Sequence, residues 1–547
     1  MLVIYKSGGD IKMKKKYAIS FLMVVLGIII ISSFTGCSKK DTTNYLKVSM
    51  AADPGTADAQ KTTDSYALPL NIFDRLVEIE TTSPGQSKLV PGLAETWEAS
   101  ADGLVYTFHL RKNVKFHNGE IFKADDVLYT FDRMLDPKTK ALNTDFLNMI
   151  AGANDRLDGK ATSVSGLKVI DDNTIQITIE KPFGPFLANL ATPAGSIYNR
   201  KATTEAGDQF GLDPKKTIGT GPFMLDSWKL NDSCVAVAFK DYFRGVAKIE
   251  GINFKIVPDV ETERMLFETG ELDIFDCDNA RSQIPYFEKS DKWKNQIVSG
   301  PRVGVYYYSI NQSIKPFNDV RVRKAMQMAI DRKTILDKLY YGKGKLENAI
   351  MPPGLLGYNP NVTPITFDIA KAKKLLAEAG FPNGFTMDIA MITDSASTLK
   401  TNEAVQSMLA DVGIKANILQ KDSASYYAER KEGRLAMYQA DWSADYNDPD
   451  NFIYTFFSEK NSVARSFNNK DTDVFAKLDT ARSMVNQEER LKLYQELENT
   501  IVSDDAAWIP LFSLDHLFVV QPRVKNFKVS WNGWSNMPYY SITLAEK

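Results

Sequence analysis

The chain is poor in cysteine and histidine, with three of each in 547 residues. Cys37, Cys234 and Cys277 cannot staple a chain of this length, so stability must come from packing. Cys234 lies in an alternating apolar run and Cys277 ends another; both read as buried thiols, with a bond between them left open. His109, His117 and His516 lack the spacing of metal ligands. No Gly-x-Ser-x-Gly and no His-Glu-x-x-His occurs. Ser397 and Lys400 form a lone Ser-x-x-Lys, but Ser397 precedes a helical pattern and reads as its cap. A secreted hydrolase is therefore the remote alternative, and neither catalysis nor a cofactor is expected. Charge of one sign is also missing. The 66 basic and 68 acidic residues nearly cancel, with no long single-sign run beyond the first forty positions, so no nucleic acid partner is expected.

Long apolar runs are scarce too. The stretch from Tyr17 to Ile31 is shorter than the ~20 residues that span a bilayer. Lys12, Lys14, Lys15 and Lys16 precede it, and Ser32, Ser33, Thr35 and Gly36 follow. Residues 1–36 thus read as a secretory signal, and 37–44 as a polar tether.

What remains is long enough for two or three lobes. Leu46 to Ala52 reads as a strand, and Asn71 to Glu78 as a compact helical run. Alternation on both sides of Asp102-Gly103 predicts a hairpin. Val127, Leu128, Phe131 and Met134 share one face of a helix over Ala124 to Met134. Ile218 to Trp228 holds two glycines, but it lacks the Lys-Ser or Lys-Thr of a phosphate loop and reads as a packed turn. From Val303 onward strands alternate with helices capped by Asp319, Asp331 and Asp368, which predicts an α/β unit with a partly parallel sheet. Trp508 to Val520 reads as a strand returning to an earlier sheet.

The stretch Asp441 to Asn451, Asp-Trp-Ser-Ala-Asp-Tyr-Asn-Asp-Pro-Asp-Asn, reads as an acidic loop between two segments that both seek burial. Alone, it suits a solvated turn whose Asp and Asn residues cap the next helix. Carboxylates beside Trp442 and Tyr446 also suit a cation held against an apolar wall. The loop lacks the glycine and distal glutamate of a calcium loop.

Several stretches, in order, resemble the peptide- and nickel-type solute-binding proteins of ABC importers. They are Leu89 to Trp97, Asn113 to Met134, Gly219 to Trp228, Pro316 to Arg332, Asp368 to Gly384 and Trp442 to Phe452. Phe34-Thr35-Gly36-Cys37 likewise resembles a lipoprotein box, with Phe34 in place of the usual Leu, which implies a lipid on Cys37 that anchors the protein to the bacterial cell membrane.

The resemblance implies an α/β, two-lobed periplasmic-binding-protein-like fold with an extra inserted subdomain and hinge closure. Lobe I would comprise 45–86, 210–303 and 506–547, the inserted subdomain 87–209 and lobe II 304–505. It also implies a monomer that captures a peptide and delivers it to a membrane permease. In oligopeptide binders the loop matching Trp442, Ser443, Ala444 and Asp445 supplies the aspartate for the peptide's amino terminus, here Asp445, with Trp442, Ala444 and Tyr446 beside it. Arg430 matches a basic position that some members use for a peptide carboxylate, yet it lies in the mixed charge run Glu429 to Glu432. Gln439 stands where some members carry a second arginine, and Ser443 where some carry cysteine. A nickel chelate, haem or a peptide pheromone is the alternative ligand on the same fold.

Overall fold

A computed structural model describes residues 44–545 apart from 279 and 394, so the secretory signal and Cys37 lie outside the described residues. The body is a mixed α/β assembly of several sheets. The largest follows the order β11 (Ile274–Asp276), β18 (Trp508–Val520), β13 (Gly304–Ile310), β17 (Met437–Ser443), β15 (Thr386–Ile392) and β16 (Lys415–Lys421). β12 (Ile297–Pro301) and β14 (Gly344–Leu346) also pair with β18. β13 is antiparallel to β17 and β18, whereas β15 and β16 are parallel.

A second sheet has the order β1 (Tyr45–Met50), β10 (Gly251–Ile256), β9 (Ser233–Ala238) and β8 (Phe223–Lys229). A third, wholly antiparallel, runs β4 (Ala94–Ala99), β5 (Val105–Leu110), β7 (Thr174–Thr178) and β6 (Leu167–Asp171). β2 (Val77–Ser83) and β3 (Gln86–Pro91) form a separate hairpin.

Local chemistry accounts for many of these elements. Asp319, Asp331 and Asp368 each accept an amide hydrogen bond in the first turn of α2 (Val320–Ala329), α3 (Arg332–Leu339) and α4 (Ile369–Glu378). Earlier in the chain, α1 (Ala124–Leu135) buries Val127, Phe131 and Met134 on one face. β18 is buried on both faces, only Asp515 being partly open, because other strands or helices cover it throughout. Its first half pairs with β13 and β14 and its second half with β11 and β12.

Three expectations need correction. Asn71 to Glu78 is no helical run: a single turn, Pro69–Ile72, gives way to strand β2 at Val77. Gly219 and Gly221 press on the end of that turn, where a Cβ on either would lie within 2.5 Å of the Ile72 carbonyl oxygen, and Gly221 N–H donates to that oxygen at 2.8 Å. Ser397 is not a cap but lies inside α5 (Ala396–Ala410), whose preceding residue is Ser395. The acidic stretch is not all loop, since Asp441, Trp442 and Ser443 end β17. Cys234 and Cys277 are buried free thiols, as their apolar runs predict, and the bond left open between them does not form. The expected hairpin over Asp102-Gly103 forms as β4 and β5, with Gly103 at φ 69°.

Candidate functional site

β17 leads into the site. Along one edge it pairs with β13 from Met437 to Ser443; along the other it meets β15 only where Ala390 faces Tyr438. The outer edge from Gln439 to Ser443 therefore keeps its main-chain groups outside any ladder. The chain then turns, with Ala444 N–H donating to Val303 O at 2.8 Å and Ala444 O accepting from Asn532 Nδ2 at 3.1 Å.

Asn451 fixes the turn. Its Oδ1 accepts from Asp445 N–H at 2.9 Å, its Nδ2 donates to Asp445 Oδ2 at 3.0 Å, and its carbonyl accepts from Trp442 Nε1 at 2.9 Å. One asparagine thus orients both the carboxylate and the indole.

The acidic residues of this turn have separate fates. Asp448 caps the short turn that starts at Pro449, and it also forms a bidentate pair with Arg490 of α8 (Gln487–Asn499), at 2.8 and 2.6 Å. Asp450 accepts from Tyr446 at 3.1 Å and Tyr494 at 3.2 Å, with Arg482 of α7 (Thr472–Ser483) 3.2 Å away. Both do more than the turn-and-cap chemistry of their sequence suggests. Asp445 differs: it is half-buried, and among the described residues no cation lies within 4 Å of it. Burial pushes its carboxyl up to about 6, with the charge of Asp145 adding to the shift and the Asn451 amide opposing it. Tyr66 faces the same carboxylates, Asp64 and Asp145 included, and its phenol is raised by burial and by their charge.

Two cavities flank this turn. Asp445 lines one of about 360 Å³ together with Trp531, Asn532 and Trp534. Trp534 stacks on Tyr66 at 5.9 Å, and Tyr446 meets Phe146 edge-on at 6.2 Å, so aromatic walls close around the carboxylate. Trp442 lines the other, of about 980 Å³, with Gln439, Arg430 and Arg465.

Arg430 lies in the last turn of α6 (Ser423–Lys431) and is half-buried rather than on a solvated face. Glu429 pairs with Lys421 at 2.9 Å and Glu432 with Arg434 at 2.6 Å, leaving Arg430 over the Tyr427 ring with a buried, unpartnered Nε. Sequence reasoning missed Arg465, Asp145, Asn451, Tyr66 and Trp534. Asn451 alone carried a local signal, as the last residue of the acidic stretch.

The structure thus places Trp442 at the end of β17 and Ala444, Asp445 and Tyr446 in the turn that follows, with Arg430 and Trp442 lining the same larger cavity. His516 lies elsewhere, buried between Asp276 at 2.9 Å and Asp278 at 3.1 Å. Among the described residues no group of three His, Cys, Asp or Glu could hold a metal ion.

Residues 88–464 match the family model described as "Bacterial extracellular solute-binding proteins, family 5 Middle". Haem-binding protein A of Haemophilus influenzae is 33% identical, over 87% of this chain and 87% of that protein. The dipeptide-binding protein of Escherichia coli (strain K12) is 32% identical, over 85% and 87% respectively. The solved structure of the periplasmic binding protein DppA from Helicobacter pylori, in complex with the peptide STSA, superposes with a TM-score of 0.74. It is 29% identical, over 92% of this chain and 98% of that one. The fold, its order of motifs and these matches agree: the chain belongs to family 5 of the bacterial extracellular solute-binding proteins, the peptide- and nickel-type binding proteins of ABC importers, a family of binding proteins rather than enzymes.

Proposed function

We propose that this protein captures peptides outside the cytoplasm, as a monomer, and delivers them to an ABC permease, with Asp445 as the partner of the peptide's ammonium group. The half-buried Asp445 carboxylate, with no cation beside it, carries this reading. In a site that closes off from water, an ammonium opposite that carboxylate contributes far more than at a surface. The unpaired edge of Gln439 to Ser443 offers main-chain groups to an extended peptide, as an added strand would use them. Arg430 supplies the countercharge for a peptide carboxylate. The same reading divides the body into lobe I (45–86, 210–303 and 506–547), lobe II (304–505) and an inserted subdomain (87–209), with β18 pairing to strands of both lobes.

Calorimetry with a short peptide and its amino-acetylated form tests the ammonium assignment. The free peptide is expected to bind far more tightly, and equal binding would refute the role of Asp445. The carboxylate must be ionised to pair. Its upward shift in the free protein means that affinity is full above about pH 6 and is lost as pH falls below it. Asp145, Tyr66, Tyr446 and Arg465 are the titratable groups that interact with it.

The lipid anchor on Cys37 is part of the same proposal. Cys37→Ala is expected to move the protein from sedimented membranes to the soluble fraction; a variant that still sediments would rule the anchor out. A second reading, an anionic metal chelate or haem, draws on the arginines of the larger cavity. The negative surroundings of Asp445 favour the peptide.

A further inference from the structure

The larger cavity carries more positive charge than one peptide carboxylate neutralises. Arg281, on one wall, contacts Asp278 and donates to Asp515 O at 3.0 Å. Behind that wall His516 sits between Asp276 and Asp278, and Arg302 lies 3.6 Å from Asp278. These cations have their anions. Lys400, Arg430 and Arg465 also line the cavity, and among the described residues none of the three has a carboxylate within 4 Å. Of the carboxylates that line the cavity, Asp278 is engaged by Arg281 and His516, and Asp441 is exposed.

Arg465 has a defined seat. Its guanidinium lies 4.6 Å from the centre of the Trp442 ring and 4.5 Å from that of Phe456. Contact with two rings set nearly at right angles fixes the position of the group, and its five N–H donors suit a planar anion. Trp442 and Asp445 are both tied to Asn451, so Arg465 stands one indole away from the ammonium site. Burial and the neighbouring Arg430 both pull its pKa down, as expected of cations lacking an anion.

We infer that Arg465 is a specificity-determining residue which, beside Arg430, receives an acidic side chain close to the amino end of the bound peptide. The site then selects peptides carrying one more carboxylate than the terminal one. This rests on the peptide reading above. Arg430 takes the terminal carboxylate in that reading, and Arg465 takes the side chain.

The test uses the full body of the protein and three probes: Ala-Ala-Ala, Ala-Glu-Ala and the near-isosteric Ala-Gln-Ala. Wild-type protein is expected to bind Ala-Glu-Ala about tenfold or more tightly than Ala-Gln-Ala, the difference that one charge-assisted contact makes. In Arg465→Gln that preference should vanish while Ala-Ala-Ala affinity stays as it was, and Arg465→Lys should keep part of it. Equal binding of the two isosteric probes by the wild type overturns the inference, whatever the variants do. An equal loss for all three probes in Arg465→Gln also overturns it, since that would mark a structural role or a grip on the terminal carboxylate. Binding of none of the probes would instead sink the peptide reading itself, and the inference with it.

Discussion

Asp445→Ala is expected to weaken binding of a free-amino peptide by about 2–5 kcal/mol, the usual cost of leaving one partner of a buried charge pair alone. In calorimetry this is a loss of roughly thirty-fold to several thousand-fold. The size follows from the surroundings. Trp531 and Trp534 line the cavity with the carboxylate, and Tyr66 stacks on Trp534, so an ammonium placed there without it has little water to turn to. Asp145 remains nearby and retains part of the negative field, which places a Asp445→Ala variant short of complete loss. Asp445→Asn keeps the shape and the link to Asn451 and isolates the charge. If Asp445→Ala binds within about threefold of wild type, the ammonium lies elsewhere.

The second large effect concerns stability rather than affinity. Asp448→Ala is expected to destabilise the body by about 3–5 kcal/mol, because it strands a buried guanidinium. The Arg490 side chain is 0% exposed and that of Asp448 is 4% exposed. Arg490 also donates to Ala481 O at 3.1 Å and lies so close beneath Gly184 that a Cβ there would be 2.7 Å from its Nε. Water has no route to replace the lost carboxylate. The Asp448→Leu/Arg490→Met double variant, which removes both charges, should recover most of the loss. Urea unfolding of the three proteins decides the matter, and a single variant within about 0.5 kcal/mol of wild type would show that the pair adds nothing.

These two aspartates illustrate what a sequence discloses. Asp448 beside Pro449 is legible as a cap, because capping is settled within three residues. That it also grips Arg490 is not legible, since the partner arrives on another helix. Arg430 shows the same limit: its charge run looks solvated until Lys421 and Arg434 are seen to draw off its two glutamates. Asp319, Asp331, Asp368 and the strand from Trp508 to Val520 were readable for the opposite reason, as caps and an apolar run declare themselves locally. The helical pattern after Asn71 misled because glycines distant in the chain close off that turn. Arg465 and Asp145 left no trace, since nothing in their neighbours marks a residue that tertiary contacts alone bring to a ligand.

β18 has a consequence for how the molecule is made. Four strands, β11 to β14, all pair with this one segment, and all four precede it in the chain. Until it emerges those strands have no common partner, and each contact it makes spans a long stretch of chain, which slows closure of the sheet. Loss of the strand from Trp508 to Val520 would therefore cost all four their partner at once, including β13 and through it the edge that holds β17 beside the site.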